Sequence, residues 1–460
     1  MHAVRSTVLA SILVMATSCV DPDDLTTSAT DQSLTASDPL FSLQTWHYNE
    51  ANIPTAWNTS TGSASTIVAV VDSGTMPHPD LDAKWLTGYD FFAGDANPHD
   101  DGWYHHGIHT AGTIAAVTNN GVGVAGVCWS CMLMPLRVLS VGAPGNTDTP
   151  TVEARAIRNA IGQAVADGFG HTAPAPTQPA SVINSSLGNT KLTTCPADVQ
   201  SALDAAFNAG VVMVAAAGNN DDGDTISTHY MWENCNHVIV VTAAQESGAA
   251  EPYAITGPGV TLAAPGGSAV GGADGHGALI GCTDPMETRG DGSHGAVSTW
   301  VTSQGVACYR HWAGTSMAAP HVSGIVALMK SRNPALTADQ ATAILKGTAR
   351  PISCGSACGA GLVDASEAVR AALVTAIVEC SSTGGGRFSC IFDDVTGLSP
   401  LTVQWTAGAN AGLNAPTNSV NGVTGRCSVG ASATVTVTVT DQLGRSITKN
   451  RGFACTNVIP

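Results

Sequence analysis

Short apolar runs rich in β-branched residues recur along the first half of the chain. Each is uniformly hydrophobic rather than alternating, which is the pattern of a strand covered on both faces. Ala-rich stretches with helical periodicity separate these runs. The alternation predicts an α/β fold with a parallel sheet and right-handed crossovers. The predicted strands are residues 66–71, 181–184, 211–214 and 238–242, and the predicted helices include residues 152–168 and 198–209.

The pattern changes after about residue 375. Residues 431–438 place valine at every second position between threonines, which predicts a strand with one buried and one wet face. Residues 441–444 are typical of a turn, and they lead into a further predicted strand at 445–453. These features predict a separate all-β sandwich over residues 374–460.

The amino terminus has the pattern of an export signal. Basic residues precede an apolar run at residues 8–15, which is too short to span a bilayer. We therefore expect residues 1–18 to be a signal peptide. Residues 19–38 are polar and lack apolar periodicity, so we expect a tether there, in front of a globular domain at 39–373.

Composition and charge narrow the function classes. The 460 residues are 44% hydrophobic and 12% charged, with 50 glycines, which is typical of a large globular protein with many turns. Intrinsic disorder needs the opposite balance of hydrophobicity and charge. The formal net charge of −17 argues against nucleic acid or an anionic membrane surface as a partner.

Thirteen cysteines in an exported chain predict disulfide bonds, and the odd number leaves one cysteine over. Cys19 stands where the lipidated cysteine of a bacterial lipoprotein would follow its signal. Two alternatives are open. Lipidation of Cys19 would hold the protein at the outer surface or in the periplasm, whereas loss of Cys19 with the signal would give a soluble secreted protein. Either way, twelve cysteines are left to pair.

Four polar residues stand at the ends of predicted strands or at the starts of predicted helices. Asp72 and Asn219 follow apolar strands, His106 opens an apolar helix, and Ser316 opens another within Gly314-Thr-Ser-Met-Ala-Ala-Pro-His-Val-Ser-Gly324. A helix N-terminus favours developing negative charge because its N–H groups are unpaired. The carboxyl ends of parallel strands are the usual place for a site.

The order of these motifs resembles that of the subtilisin-like serine proteases (subtilases, peptidase family S8). The segments that carry the resemblance are Asp72-Ser-Gly74, His105-His-Gly-Ile-His109, Val214-Ala-Ala-Ala-Gly-Asn219 and the segment around Ser316. The resemblance covers roughly residues 43–373. It implies a three-layer α/β fold with a central parallel sheet, followed here by a small Ig/PKD-like all-β sandwich.

The resemblance also implies the chemistry. Ser316 would be the nucleophile, His106 the general base, Asp72 the residue that orients His106, and Asn219 the side-chain donor to the oxyanion. The protein would be a monomeric, secreted serine endopeptidase without a catalytic metal. It would hydrolyse extended protein or peptide substrates through an acyl-enzyme intermediate.

Substrate contacts follow from the same resemblance. Ser186, Leu187 and Gly188 would hydrogen-bond an extended peptide, and the segment around Gly142 would flank it on the other side, as in β-strand addition. Asn189 stands where a second glycine is usual, which is expected to narrow the main specificity pocket.

Structural calcium is a further implication of the resemblance. Asp80 and the loop that contains Asn120 are similar to a family site where oxygen ligands gather around the ion.

Two features depart from the family pattern. Ile108 replaces a small hydroxyl residue beside His106, which would leave a buried hydrogen-bond partner unpaired if the hydroxyl normally made that bond. The chain also has no room for a long folding propeptide between the signal and residue 39. We therefore expect folding to proceed unaided, with help from disulfides, or with help in trans.

Two other functions are weighed against the protease. His105, His106 and His109 with Asp72 could hold zinc, but no glutamate follows to act as a base. A catalytically impaired member that binds its target through the β-sandwich is the other alternative, and Ile108 is the feature that keeps it open.

Disulfide pairings are predicted for the first domain only. We expect Cys195–Cys235, Cys354–Cys358 and Cys128–Cys131, which leaves Cys282–Cys308. The Cys-x-x-Cys spacing of residues 128 and 131 also resembles a redox pair, although a thioredoxin-like context is missing. Cys380, Cys390, Cys427 and Cys455 allow three pairings, among which the sequence does not choose.

Overall fold

Helices and strands are mixed along the chain up to residue 371, and strands are the regular elements of the described residues from 375 onward. The computed structural model describes residues 34–102, 105–139, 150–188, 192, 194–219, 232–268, 276–284 and 294–457. The helices in these ranges are α1 (Phe41–Glu50), α2 (Ile53–Trp57), α3 (His106–Ala115), α4 (Pro150–Ala160), α5 (Ala197–Asn208), α6 (Thr315–Arg332), α7 (Ala338–Thr348) and α8 (Ala365–Ala371).

The strands fall into two groups, one on each side of α8. Those before it are β1 (Ile67–Asp72), β2 (Tyr89–Asp90), β3 (Met132–Arg137), β4 (Val165–Ala166), β5 (Thr172–Ala173), β6 (Val182–Ser185), β7 (Val212–Ala216), β8 (Val238–Ala244), β9 (Leu262–Pro265), β10 (His276–Ile280), β11 (Ala296–Val301) and β12 (Ala307–Trp312). Those after it are β13 (Thr375–Gly384), β14 (Arg387–Thr396), β15 (Thr402–Ala407), β16 (Ala411–Leu413), β17 (Val423–Cys427), β18 (Ser432–Thr440) and β19 (Ser446–Ala454).

A parallel sheet forms the middle layer of the first domain. Within the described ranges its order is β2-β3-β1-β6-β7-β8-β9, and every neighbouring pair is parallel. The four predicted strands are confirmed as β1, β6, β7 and β8. The helix predicted at 152–168 is wrong at its end, because α4 stops at Ala160 and Gly162 follows at a φ of 95°, outside the helical region.

Helices cover both faces of this sheet. Val68 and Val70 of β1 lie in the core that α3 and α6 share, whereas Ile67 and Val71 lie in the core that α4 and α5 share. Because successive side chains of a strand point to opposite faces, the uniformly apolar β1 serves both cores. The result is the three-layer architecture that the family resemblance implies.

Helix α6 runs through the first core. Every residue from Thr315 to Lys330 is buried except Ser316, which is partly exposed at the first turn. Helix α3 approaches its neighbours closely, and glycine makes this possible. A Cβ on Gly107 would lie 2.7 Å from the carbonyl oxygen of Gly74, and one on Gly112 would lie 2.2 Å from Thr299 Oγ1.

Two antiparallel sheets form the C-terminal sandwich. Their orders are β13-β14-β17-β16 and β15-β18-β19 within the part of the chain described. Alternating valines of β18 point inward and pack with Phe388 and Trp405, both 1% exposed, in a core shared by the two sheets. The period-two pattern of residues 431–438 is confirmed as a half-buried strand.

The α/β part of the chain and the C-terminal sandwich are joined tightly at α8. Arg445 of the sandwich donates hydrogen bonds to the carbonyl oxygens of Ala371 and Ala372, at 2.6 and 2.8 Å, and it also pairs with Asp441. The end of an α-helix leaves carbonyl groups unpaired, so the guanidinium acts as a cap for α8. Leu398 of the sandwich is 3% exposed and lies in the core of the first domain, beside Gly347.

The twelve cysteines within the described ranges form six disulfides. The four predicted pairs are confirmed, and the C-terminal domain adds Cys380–Cys390 and Cys427–Cys455. The longest loop that a disulfide closes is that of Cys195 and Cys235, which lie 40 residues apart. Such a loop contributes about 4 kcal/mol in the chain-entropy account of disulfide stability.

Candidate active site

The start of α6 lies against the carboxyl ends of β6 and β7. Thr315 Oγ1 accepts a hydrogen bond from the N–H of Gly218, just after β7, at 2.9 Å. Ser316 and Ser186, just after β6, exchange two hydrogen bonds. Since Asp72 ends the neighbouring β1, all of these residues lie at one edge of the parallel sheet, where sites in such sheets are found.

Asp72 and His106 form the best-defined pair at this edge. The two carboxylate oxygens of Asp72 lie 2.8 and 3.0 Å from His106 Nδ1. Asp72 is fully buried, whereas the side chain of His106 is 13% exposed. An ionised carboxylate only accepts hydrogen bonds, so the neutral imidazole must carry its proton on Nδ1. Nε2 is therefore left with a lone pair that can take a proton.

A second buried carboxylate supports the start of α3. Asp100, 1% exposed, accepts a hydrogen bond from Ser73 Oγ at 2.6 Å, and the same hydroxyl accepts the N–H of Gly107 at 2.9 Å. Asp100 also lies 3.5 Å from Nδ1 of His105. Ser73 thus links the end of β1 to the first turn of α3, which fixes the backbone that carries His106.

These carboxylates set the protonation of His106. Burial lowers the pKa of its imidazole, but the charge and hydrogen bond of Asp72, together with the charge of Asp100, raise it by more. The net effect is a pKa above the ordinary value for histidine. A base with a raised pKa takes a proton more readily, which suits a group that must activate a hydroxyl.

The hydroxyl of Ser316 is directed at the sheet in this structure. It donates to the carbonyl oxygen of Ser186 at 2.8 Å and makes no hydrogen bond to His106, although both residues are described. Rotation about one side-chain bond reaches the other staggered positions of the hydroxyl. Hydrogen bonds of catalytic groups are often long or misaligned without substrate, so this orientation is compatible with a nucleophile.

The amide of Asn219 lies beside the turn that leads into Ser316. Its oxygen accepts the N–H and the hydroxyl of Thr315, at 3.0 and 3.1 Å. Because a backbone N–H can only donate, this contact fixes which end of the amide is the oxygen. Nδ2 is on the other side, 3.4 Å from where a Cβ of Gly314 would lie, and it is left as a donor.

The sequence of the first domain matches a known family. The subtilase family, peptidase family S8, matches residues 63–376, well over half of the chain.

The chain belongs to the subtilase family.

Individual relatives agree with this assignment. The "Extracellular protease" of Xanthomonas campestris pv. campestris is 36% identical over 374 residues, which are 74% of this chain and 58% of that protein. "Thermitase" of Thermoactinomyces vulgaris is 31% identical over 338 residues, which are 73% of this chain and 99% of that protein. This subtilase therefore spans nearly all of one relative but less than two thirds of the other.

A solved structure also matches the fold. The protease of Pseudoalteromonas arctica PAMC 21717 superimposes with a TM-score of 0.63 at 36% identity, and the match covers 74% of this subtilase and all of that chain. The resemblance inferred from the sequence motifs and the subtilisin-like fold are therefore confirmed.

The predicted substrate segment continues from β6. Ser186 is buried, whereas Leu187 and Gly188 are partly exposed. The carbonyl oxygen of Ser186 is used by Ser316, and that of Leu187 accepts the indole N–H of Trp232 at 2.5 Å. Gly142 and Asn189 lie outside the described residues, so the predicted second wall of the cleft is not seen.

Structural calcium is a general feature of subtilases, and Asp80 and Asn120 are close together here. Their contact is nevertheless a hydrogen bond, in which Asn120 Nδ2 donates to Asp80 at 2.8 Å. The second carboxylate oxygen accepts the N–H of Val124 at 3.0 Å, and the amide oxygen of Asn120 accepts the N–H of Val122. Calcium binds oxygen atoms, whereas Asn120 presents its amide nitrogen to Asp80 and directs its oxygen to Val122, so the pair in this arrangement does not fit a calcium ion.

The three histidines of the motif have three different partners. His105 faces Asp100, His106 faces Asp72, and His109 Nε2 lies 3.1 Å from the carbonyl oxygen of Arg310. The structure does not gather them around one point. Nor do the described ranges contain any group of three or more His, Cys, Asp or Glu side chains arranged to hold a metal.

Ile108 is fully buried, with its side chain in the apolar core that α3 and α6 share. Its carbonyl oxygen accepts the hydroxyl of Thr299 at 2.7 Å. An isoleucine brings no polar group of its own into these apolar surroundings, so its side chain is accommodated by packing.

A buried pair of histidines supports α6; His321 stands in the segment around Ser316, but its contact with His47 is not indicated by the motifs. His321 Nδ1 lies 2.7 Å from the carbonyl oxygen of Met317, and His321 Nε2 lies 2.8 Å from Nδ1 of His47 on α1. His47 Nε2 in turn accepts the N–H of Val297. These contacts fit two neutral rings, each with its proton on Nδ1. Burial lowers the pKa of His321 to about 4 and that of His47 well below the usual value, which favours the neutral forms.

Proposed function

We propose that this subtilase is a secreted serine endopeptidase that hydrolyses extended segments of proteins. The observation that carries the proposal is the buried Asp72 carboxylate, which holds the proton of His106 on Nδ1 at the edge of the sheet where α6 begins with Ser316. Relatives named extracellular protease and thermitase support the same activity.

The residues would share the reaction as follows. His106 Nε2 takes the proton of the Ser316 hydroxyl as Oγ attacks the carbonyl carbon of the substrate. The same proton then passes to the amine that leaves, and Ser316 carries the acyl group. Water repeats the sequence with His106 as base and releases the acid. Asp72 keeps the imidazole oriented and stabilises its protonated form.

Asn219 is proposed as a donor to the oxygen that becomes negative in these steps. Replacing Asn219 with alanine is expected to lower kcat about 100- to 1000-fold, because the donor acts mainly in the transition state. KM should change little. Steady-state kinetics with a chromogenic peptide would measure both constants, and a rise in KM at constant kcat would show a role in substrate binding instead.

Substrate binding is proposed along the segment after β6. The partly exposed Leu187 and Gly188 would offer backbone groups to an extended peptide, and Ser186 would hold the start of α6 against it. The segment around Gly142 is proposed as the opposite wall of the cleft.

We propose a domain boundary between residues 373 and 374. We also propose that the protein is a monomer without nucleic-acid partners.

Hydrolysis of casein by the purified protein, and labelling of Ser316 by a fluorophosphonate probe, test the proposed function. Both should survive chelation of zinc. A protein that binds casein without cleaving it, and that the probe does not label, would favour the catalytically impaired alternative, which no contact of Ile108 supports.

Export is proposed through a signal at residues 1–18. The helices of the described residues include none long and apolar enough to cross a membrane. We propose that the mature protein begins at or after Cys19. Mass spectrometry of the mature N-terminus should show either a lipid-modified Cys19, which anchors the protein, or a start beyond it, and an intact residue 1 would contradict export by this route.

Hydrogen bonds are proposed to hold the loop at Asp80 and Asn120, without a cation. We compare the unfolding temperature in calcium chloride with that in EGTA. The difference between the two should be the same for the wild-type protein and for Asp80→Asn, because Asp80 binds no calcium. Differential scanning calorimetry would test this. A calcium-dependent rise of several degrees that the substitution abolishes would instead support the calcium site predicted from the sequence.

A further inference from the structure

The C-terminal sandwich has a polar groove on the outer face of its four-stranded sheet. One cavity of about 420 Å³ opens between β14 and β17, and a second of about 190 Å³ continues towards the loop before β17. The two cavities share three lining residues, so they form one groove. The residues that matter for its chemistry are Arg387, Ser389, Asn414, Thr424 and Arg426.

Two arginines stand side by side in this groove. Arg387 and Arg426 are direct partners in the antiparallel pairing of β14 with β17, and both are exposed. Like charges in directly opposite positions destabilise a sheet. Within the part of the chain described, neither guanidinium makes an ion pair or a hydrogen bond. The pair therefore costs stability in the free protein and leaves two planar donor groups open to a ligand.

The side chains around the arginines are short. Ser389 and Thr424 form the next cross-strand pair on the same face. Gly412 of β16 is the partner of Arg426 on its other side, and a Cβ placed there would meet no atom within 4 Å. Hydroxyls therefore follow the arginine pair along the two strands, and open space borders Arg426 on the side of β16, where a chain of ligand groups could fit.

The charge of the domain favours an acidic ligand. Residues 374–460 contain five Lys and Arg against four Asp and Glu, a net charge of +1, whereas the other residues of the chain carry −18. Acidic polymers are thus repelled by most of the molecule but not by this domain. Two adjacent guanidinium groups match carboxylates, which they bind with paired hydrogen bonds.

The lining favours a peptide over a carbohydrate. Phe388 is the aromatic residue of the lining, and it is 1% exposed, so the described groove offers no ring on which a sugar could stack. Hydroxyl and amide groups of Ser389, Thr424 and Asn414 suit a peptide backbone. On these grounds, and resting on the proposed protease function, we propose that the groove binds Asp- and Glu-rich segments of protein substrates and recruits them for cleavage.

A pair of matched substrates tests this proposal. Both contain the same cleavable linker, and it is followed by an Asp/Glu-rich segment in one and by the corresponding Asn/Gln segment in the other. At low ionic strength we expect kcat/KM to be roughly three- to tenfold higher for the acidic substrate, through a lower KM, since two exposed charge pairs contribute about that much. The preference should disappear in R387Q/R426Q and weaken as salt is added.

A matched control removes the same charge elsewhere on the domain. K449Q/R451Q changes two exposed cations of β19, in the other sheet, and should keep the preference. A short uncharged chromogenic peptide should be cleaved equally by all three proteins. Absence of a preference in the wild type, or equal loss in both double variants, would overturn the proposal.

Binding can also be measured without catalysis. Fluorescence anisotropy of a labelled oligoglutamate peptide with Ser316→Ala should show saturable binding that the additional R387Q/R426Q change removes. This assay separates failure of the groove from failure of the proposed function, because it does not need an active enzyme. Arginine-dependent binding of alginate, with none of the peptide, would also overturn the proposal.

Discussion

Replacing Ser316 with alanine is expected to lower kcat roughly a million-fold. Without the hydroxyl no acyl bond to the enzyme can form, and His106 has no nucleophile to activate. The protein should still fold, because the side chain is partly exposed and loses one hydrogen bond, to the carbonyl oxygen of Ser186. Hydrolysis of casein and of a chromogenic peptide, together with the unfolding temperature, would measure both effects.

Ser201 provides the control for this substitution. It is exposed on α5, where its hydroxyl accepts a hydrogen bond from Arg158 at 2.8 Å. Ser201→Ala should keep full activity. Equal hydrolysis of casein by Ser316→Ala and the wild type would overturn the assignment of Ser316 as the nucleophile.

Replacing Asp72 with asparagine is expected to lower kcat about 10,000-fold while leaving the fold intact. The amide can donate to Nδ1, which moves the proton of the neutral imidazole to Nε2. In that tautomer His106 cannot accept the proton of Ser316. Kinetics at saturating substrate would give the loss, and near-UV circular dichroism would check the packing.

The direction in which the pH profile of Asp72→Asn shifts can also be predicted. The base works in its neutral form, so kcat/KM rises as pH passes upward through the pKa of His106. Asp72 raises that pKa, and its removal should therefore shift the acid limb of the residual activity to lower pH. Asp100→Asn should shift it in the same direction by less, with most of the activity kept. An acid limb at the same pH in Asp72→Asn and the wild type would show that another group controls it.

Much of the fold follows from the hydrophobic pattern. Strand β1 could be predicted because both of its faces are covered, so that no polar residue interrupts the run from Ile67 to Val71. The same argument holds for β6, β7 and β8. In β18 the pattern alternates because one face is wet, which separates the sandwich from the first domain. The end of α4 differs from the prediction because Gly162 adopts a positive φ and ends the helix, although the helical periodicity of the sequence continues beyond it.

The buried residues that hold the catalytic side chains in place could not be predicted from the hydrophobic pattern. The role of Asp100 depends on Ser73, 27 residues earlier, and on the first turn of α3. His47 and His321 are 274 residues apart, and although His321 belongs to the segment around Ser316, that segment does not indicate a contact with His47. Such contacts arise from how packed layers meet. Local periodicity specifies the layers but not the side chains that touch between them.

The cap that Arg445 forms on α8 bears on the resistance of the protein to cleavage by other copies of itself. Proteases cleave segments that can extend into a cleft, and interdomain linkers are the usual target of such attack. Here Thr375 begins a strand only a few residues after α8 ends at Ala371, and the carbonyl groups of that end are already bonded to the second domain. With the proposed protease activity, a neighbouring copy of the chain would find no flexible linker at this junction, and the contact should protect the protein from autolysis there.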